Sequence, residues 1–523
     1  MKRQLLLIGC LILMFDFSLA QTTPGIEWAK CFGGSNDDQA RSIIQTNDGG
    51  FVVAGFSNSN DSNVTGNHGG PDYWVIKLDN AGNLQWQKSY GGTNGDYGQS
   101  VYQTFDQGYI VAGYTTSNDG DVSGNNGYED FWIIKIDSMG FLQWQKCLGG
   151  TKPDMAHYVI QTNDSGYIIA GGTLSNDGDV SGNHDTIAPL MNDYWIVKLD
   201  NNGNIQWQKC FGGSEDDQAF SIRHTTDGGY VVAGWTQSND GDVSGIHSIL
   251  KDKWIIKIDS VGNLQWQKCL GGTDEDRCYS AQQTNDGGFI TSGAVKSNDG
   301  DVSGNHGGLT DVWITKLDSI NNLEWQVCLG GTGFEEGYSI QQTTDSGFII
   351  GCVSYSNDGN VSGNHGGDDY WIVKLDTTAN IQWQKSFGGS DLDWPYSIRQ
   401  TNDGGYIIAG HSGSNDGDVS GNNGTYDYWI VKLFPDTITG IIQHPNQTSS
   451  IQTSPNPFTT TLTLKGTTQK GELTIFDITG KEILRTKTFG AETTINTAHL
   501  TPGFYFINYR EGDKTVNKKV VKM

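Results

Sequence analysis

Fourteen of the 16 tryptophans fall into two interleaved series of seven. One runs Trp28, Trp86, Trp144, Trp207, Trp266, Trp325 and Trp383, in phrases such as IEWAKCFGG and LQWQKSYGG, at spacings of 58, 58, 63, 59, 59 and 58 residues. The other runs Trp74, Trp132, Trp195, Trp254, Trp313, Trp371 and Trp429 in DYWIVKL-like phrases. Self-similarity at a fixed period marks a repeat architecture, in which each unit covers the apolar faces of its neighbours. The 72 glycines against 10 prolines suit many tight turns between short strands.

Each period reads as four strands. In the first, residues 41–46, 51–55, 73–78 and 84–90 are separated by the turn Asn47-Asp48-Gly49-Gly50, a polar loop and the turn 79–82. Asp-Gly and Asn-Gly turns between β-branched and aromatic runs signal hairpins. Trp74, Ile76 and Leu78 face one side of the third strand and Tyr73 and Val75 the other, so both faces are largely apolar, as in a sheet packed between two others. The expectation is an all-β chain in which residues 21–434 form a seven-bladed β-propeller. A lone fourth-type strand at 26–34 opens the repeats and a third-type strand at 427–433 ends them, so the two complete one blade and close the ring.

The flanks differ in character. Lys2 and Arg3, the apolar run from Leu5 to Phe15 and Ser18-Leu19-Ala20 read as a secretory signal peptide over residues 1–20. No later stretch has the roughly 20 apolar residues of a membrane-spanning helix. Residues 435–452 form a polar linker. Residues 453–523 carry a net charge of +4, which leaves −31 on residues 21–452 of a chain whose total is −26. Such acidity argues against a nucleic-acid partner, because a phosphate backbone is bound through clustered Lys and Arg.

The tail holds Ser454-Pro455-Asn456-Pro457-Phe458, the turn Asp477-Ile478-Thr479-Gly480-Lys481, Leu500-x-Pro502-Gly503-Phe504-Tyr505 and a basic end, NKKVVKM. In these four motifs, in this order, it closely resembles the type A C-terminal sorting domain of the type IX secretion system of Bacteroidetes. The resemblance implies an Ig-like sandwich read by the secretion machinery and a cargo released or held at the cell surface. The phrases LDNAGNLQWQKSYGG and TNDGGYIIAG resemble propeller repeats of secreted bacterial proteins and, more remotely, quinoprotein-type propellers. That resemblance covers about residues 25–433 and implies fold, not chemistry.

The loop between second and third strands reads Ser-Asn-Asp-Gly-(Asp/Asn)-Val-Ser-Gly in six repeats and Ser59 to Gly66 in the first. With its aspartate as position 1, oxygen side chains stand at 1, 3 and 5 and glycine at 6, as at the start of calcium loops. These are Asp61, Asn63, Thr65; Asp119, Asp121, Ser123; Asp177, Asp179, Ser181; Asp240, Asp242, Ser244; Asp299, Asp301, Ser303; Asp358, Asn360, Ser362; and Asp416, Asp418, Ser420. A further aspartate stands at position 12 in four repeats (Asp72, Asp130, Asp369, Asp427), at 13 in two (Asp252, Asp311), and is displaced by an insertion to Asp193 in the third. Calcium held by these oxygens is one expectation; a ladder of self-bonded Asx turns without metal is the other.

Cys31, Cys147, Cys210, Cys269 and Cys328 share one repeat position, a period apart and too far for disulfides, and so read as small buried residues. His68, His184, His247, His306 and His365 share another, which calcium contacts or solvent exposure would explain. Asp37-Asp38 and Asp216-Asp217 recur in corresponding places and read as turn residues. No nucleophile elbow, zinc-spaced His-Glu pair or phosphate loop is present in the sequence, and no single repeat departs from the rest to supply an active site. The expected activity is therefore binding or adhesion to a polysaccharide or protein ligand. The alternative is an extracellular enzyme, glycan-degrading or quinoprotein-like, drawing on asymmetric features: residues 185–192, residues 246–251, Trp235 and Trp394.

Overall fold

The computed structural model describes residues 21–184, 191–438, 452–465, 471–477, 481–488, 490–511 and 514–523. The signal segment, most of the linker, most of the third-repeat insertion and Ile478-Thr479-Gly480 of the tail motif lie outside them. Two compact units result, one spanning Gln21–Thr437 and the other containing Ile438–Met523. Every described element is a strand, and no helix among the described residues is long and apolar enough to cross a membrane.

The larger unit contains seven four-stranded antiparallel sheets. Sheet 1 runs Asp38–Gln45, Phe51–Ser57, Asp72–Leu78, Leu84–Tyr90 in spatial order, and sheets 2 to 6 repeat it. Sheet 7 takes its first three strands from Asp393–Gln400, Tyr406–Ser412 and Asp427–Leu433 and its fourth from Ile26–Phe32. The second and third strands of each sheet are buried almost throughout, which is why both faces read as apolar, while the fourth is half-exposed. First strands begin at Asp38 rather than at Arg41, because the Asp38 carboxylate turns inward to accept the Gly34 N–H at 2.7 Å.

An apolar core fills each junction between consecutive sheets, and the one containing Trp74 and Phe51 of sheet 1 with Tyr428 and Ile407 of sheet 7 joins last to first. The third-strand tryptophans are fully buried there, with Tyr73 against Trp132 at 4.4 Å and Tyr428 against Trp74 at 4.5 Å between centroids. The tyrosine hydroxyls donate to backbone carbonyls of the next sheet: Tyr73 to Trp132 O at 2.7 Å, Tyr194 to Trp254 O at 3.0 Å, Tyr428 to Trp74 O at 2.8 Å. A fully buried tryptophan is worth about 3–5 kcal/mol against alanine, so the periodic aromatics account for much of the stability of this unit. A buried third-strand lysine, such as Lys77 paired with Asp48 at 3.0 Å, ties each inner hairpin turn to its sheet.

In the smaller unit a three-stranded sheet (Gln452–Ser454, Thr461–Lys465, Glu492–Asn496) and a four-stranded one (Glu482–Lys487, Glu472–Phe476, Gly503–Glu511, Lys514–Lys522) share one core. Motif residues Phe458, Leu500 and Tyr505 are in that core. Phe458 also bonds the last strand, its N–H donating to Val521 O at 2.8 Å.

Candidate functional site

The expected calcium ligands are placed at two different junctions. Position 1 caps the Gly-Gly turn entering its own sheet: Asp119 Oδ1 accepts the Thr93 N–H at 2.8 Å, and Asp61, Asp177, Asp240, Asp299, Asp358 and Asp416 accept the corresponding N–H groups. Position 3 faces the glycine of that turn, with Asp121, Asp179, Asp301, Asn63 and Asn360 accepting its N–H at 3.2–3.4 Å, while the backbone N–H groups of Asp242 and Asp418 donate to Gly212 O and Gly388 O. At position 5, the hydroxyls of Ser123, Ser181, Ser244 and Ser303 accept a fourth-strand glutamine amide at 2.6–2.7 Å, as do those of Thr65 and Ser362. That glutamine also accepts the third-strand indole N–H, as in Trp74 to Gln87 at 2.9 Å. In sheet 7 Ala29 takes the glutamine's place, so Ser420 faces no such amide and the buried Trp429 Nε1 finds no partner.

The aspartate at position 12 or 13 points the other way, into the junction with the next sheet. Asp72, Asp130, Asp193, Asp252, Asp311, Asp369 and Asp427 are all fully buried. Each Oδ2 accepts a backbone N–H, and in five sheets also the imidazole Nδ1 of His68, His184, His247, His306 or His365 at 2.6–2.7 Å. The histidines are thus exposed, as one sequence expectation had it, yet each bonds a buried aspartate, a role the sequence reading missed. Each Oδ1 of these seven aspartates lacks a hydrogen-bond partner. It lies across a glycine from the strand-initial carboxylate of the next sheet: a methyl group on Gly212 would stand 2.5 Å from both Asp193 Oδ1 and Asp217 Oδ2. Asp38 and Asp217 are therefore buried junction residues, not turn residues. Burial, more than the neighbouring charge, pushes Asp130, Asp217, Asp393 and Asp427 up to about 7. Among the described residues, no three His, Cys, Asp or Glu side chains are grouped to hold a metal ion.

The repeat breaks elsewhere. One cavity of about 560 Å³ is lined by the first strands of all seven sheets. In every sheet the ladder between first and second strands slips at the fourth residue of the first strand, as between Ala40 and Ser42. Such a bulge re-aims one side chain. The residues so placed are Arg41, Gln99, His157, Phe220, Tyr279, Tyr338 and Tyr396, all of which line the cavity. Five residue types occupy these seven places, tyrosine filling the last three, whereas the third-strand Asp-x-Trp is the same in every sheet.

Aromatic contacts run along this ring: His157 on Phe220 at 4.7 Å, Phe220 edge-on to Tyr279 at 5.5 Å, Tyr279 on Tyr338 at 5.0 Å, Tyr338 to Tyr396 at 5.1 Å. The Arg41 guanidinium then covers Tyr396 at 4.0 Å. Tyr158 stands where six sheets have serine. Its hydroxyl accepts Arg399 Nη2 at 3.0 Å, and Arg223 lies 4.0 Å over its ring. Burial would raise the Tyr158 phenol, but the two guanidiniums outweigh it and hold it below its ordinary value. Burial raises Glu336 despite the 2.7 Å bond from the Tyr338 hydroxyl.

Of the asymmetric features expected from sequence, Trp235 and Lys251 line the cavity, the ammonium 3.9 Å over the indole. Trp394 packs behind Tyr338 and Tyr396. Residues 185–190 fall outside the described residues. Beyond the asymmetric features read from sequence, the repeats also differ in their first strands, at side chains that line this cavity. All seven described cysteines are free; of the five that share a repeat position, Cys269 and Cys328 are buried as expected, whereas Cys31, Cys147 and Cys210 are only partly so.

Residues 453–523 match the family model described as a secretion system C-terminal sorting domain. A domain of that family directs export through type IX secretion to the cell surface or outside. The regulatory protein FlaEY of Caulobacter vibrioides is 25% identical over 231 residues, a match that covers 43% of this chain and 23% of that protein. Among solved structures, puromycin hydrolase aligns over 83% of this chain and 59% of its own at 11% identity and a TM-score of 0.44. Sqt1 from Chaetomium thermophilum aligns over 78% of this chain and all of its own at 10% identity and a TM-score of 0.41.

Proposed function

We propose that the chain is an exported binding protein: a closed, seven-bladed β-propeller that takes its ligand in the central cavity, carried out by an Ig-like C-terminal domain read by the secretion machinery. Residues 1–20 serve as the export signal. Seven sheets, seven inter-sheet cores and the pairing of Ile26–Phe32 with Asp427–Leu433 support the ring. The observation that carries the binding reading is the variety of side chains gathered around one cavity, among them Arg41, Gln99, His157, Phe220 and the lone Tyr158. Scaffold positions repeat because every junction has the same packing to satisfy, whereas a ligand site needs different groups on different sides. Most loop oxygens at positions 1, 3 and 5, by contrast, accept internal hydrogen bonds, and the aspartate at position 12 or 13 turns away from them, which favours turns over calcium sites.

A second reading, hydrolysis, draws on Glu336 and Tyr158, whose proton affinities are displaced in the same cavity, as at many catalytic sites. The test is a panel of oligosaccharides and peptides presented to the full secreted chain, with release of reducing ends and new amines measured alongside binding. Saturable binding without turnover supports the binding protein. Turnover abolished by Glu336→Gln replaces it with the enzyme, and binding that ignores substitutions in the cavity refutes the site.

A further inference from the structure

Residues 21–437 contain only four arginines, Arg41, Arg223, Arg277 and Arg399, and all four line the cavity. Lys251 adds a fifth cation, against the single carboxylate of Glu336. This concentration stands in a region whose net charge is strongly negative. Arg277 pairs with Glu275 at 2.7 Å. No described carboxylate lies within salt-bridge distance of Arg41, Arg223 or Arg399, and Arg41 Nε is buried without a hydrogen-bond partner. Arg223 and Arg399 converge on one side chain, Tyr158, so two like charges are held together in a chain rich in aspartates that could have neutralised them. That arrangement is unfavourable by itself and becomes favourable when an anion enters between the guanidiniums, which present planar forks suited to carboxylate and sulfate.

Beside this cationic wall stand the rings of Tyr279, Tyr338 and Tyr396, each with one face against a neighbour in the belt. Ser280, Ser339, Ser397 and Gln218 add hydroxyl and amide groups. An apolar face ringed by hydrogen-bonding groups matches a ring that is apolar on its faces and hydroxylated at its edge. The cavity volume falls within the usual range for small-molecule sites, about 300–1,000 Å³.

We infer that the cavity binds an acidic saccharide, its carboxylate or sulfate held by Arg223 and Arg399 and a sugar ring stacked on the tyrosine belt; this rests on the cavity being the ligand site. The full secreted chain is titrated calorimetrically at low and high salt with oligogalacturonate, with sulfated galactose oligosaccharides and with neutral galactose oligosaccharides. Expected is salt-sensitive binding of one acidic set and none of the neutral set; which acidic set binds tells carboxylate from sulfate. Arg399→Gln and Arg223→Gln should each weaken it by about ten- to hundred-fold, the equivalent of losing a charge-assisted hydrogen bond. Arg399→Lys should recover only part, and melting midpoints should stay at the parental value. Neutral sugars bound as tightly as acidic ones, with Tyr338→Ala damaging and the arginine variants silent, would overturn the acidic ligand and leave the cavity site standing. Acidic sugars bound with indifference to Arg223, Arg399 and Tyr338 alike would overturn both. Absence of binding in all three arms also overturns the inference.

Discussion

Asp217→Asn offers the sharpest test of the buried carboxylate pairs at the sheet junctions. Asp217 is fully buried, faces Asp193 across Gly212, and has its pKa pushed from 3.8 to about 7, chiefly by burial. A folded-state pKa above the unfolded one means that the native state binds the proton more tightly. Stability from this group is therefore fully present below about pH 4 and is lost as pH rises through 7. A rise from 3.8 to about 7 corresponds to an upper bound of about 4 kcal/mol. His184, whose pKa is raised by its bond to Asp193, acts in the same sense, since its proton is also lost as pH rises. Asparagine keeps the acceptor for the Gly213 N–H and the Ser238 hydroxyl, both at 2.8 Å from Asp217 Oδ2, and removes the ionisation. The parental midpoint should fall between pH 5 and pH 8, and the variant should fall less. At pH 8 the variant should melt up to roughly 4–5 °C higher for a unit of this size, while near pH 4 the two should coincide. Scanning calorimetry or far-ultraviolet circular dichroism across that range reads it directly. A variant equally destabilised at pH 5 and pH 8 would refute the reasoning, because the carboxylate would then be serving as a needed acceptor or ligand rather than as a strained charge.

Ala29→Gln should return to sheet 7 the amide that bridges indole and loop in the other six, satisfying Trp429 Nε1. A gain of about 1 kcal/mol in chemical denaturation is expected, and a loss would show that the site cannot hold the side chain. Tyr428→Phe at the junction of sheets 7 and 1 should cost the same about 1–2 kcal/mol as Tyr73→Phe between sheets 1 and 2, since each removes one inter-sheet hydrogen bond and strands a carbonyl; a silent Tyr428→Phe would mean an open ring. Addition of EDTA should leave the melting midpoint unchanged, because loop oxygens such as Asp119 and Ser123 are already bonded within the protein; a clear fall would restore the calcium reading.

The tryptophan series, the hairpin turns and the sorting motifs were legible because each recurs or stands in fixed order, and the strands at Leu84–Tyr90 and Asp427–Leu433 appear where the sequence places them. Positions 1 and 12 of the loop look like one ligand set on paper. The two diverge in the structure: Asp72 leaves toward Gly91 and Asp96, while Asp61 turns back toward Gly34. The cavity was hidden for a related reason. Arg41, Tyr158 and Tyr338 sit at or beside a bulge, where the alternation of inward and outward residues fails, and their proximity arises from residues as far apart as Tyr158 and Arg399. The concentration of the four arginines of residues 21–437 on first strands, and Tyr158 where six repeats have serine, were the available signals.

The strand exchange in sheet 7 sets an order of assembly. Ile26–Phe32 finds its partner Asp427–Leu433 only after about 400 intervening residues exist, far more than separate any pair of strands within sheets 1 to 6. Contacts of that span are the slowest to form, and until this one forms Asp427–Leu433 presents an unpaired edge able to recruit another chain. The seam thus acts as a completion check: an interrupted or truncated copy keeps a sticky edge, and only a whole chain can bury it.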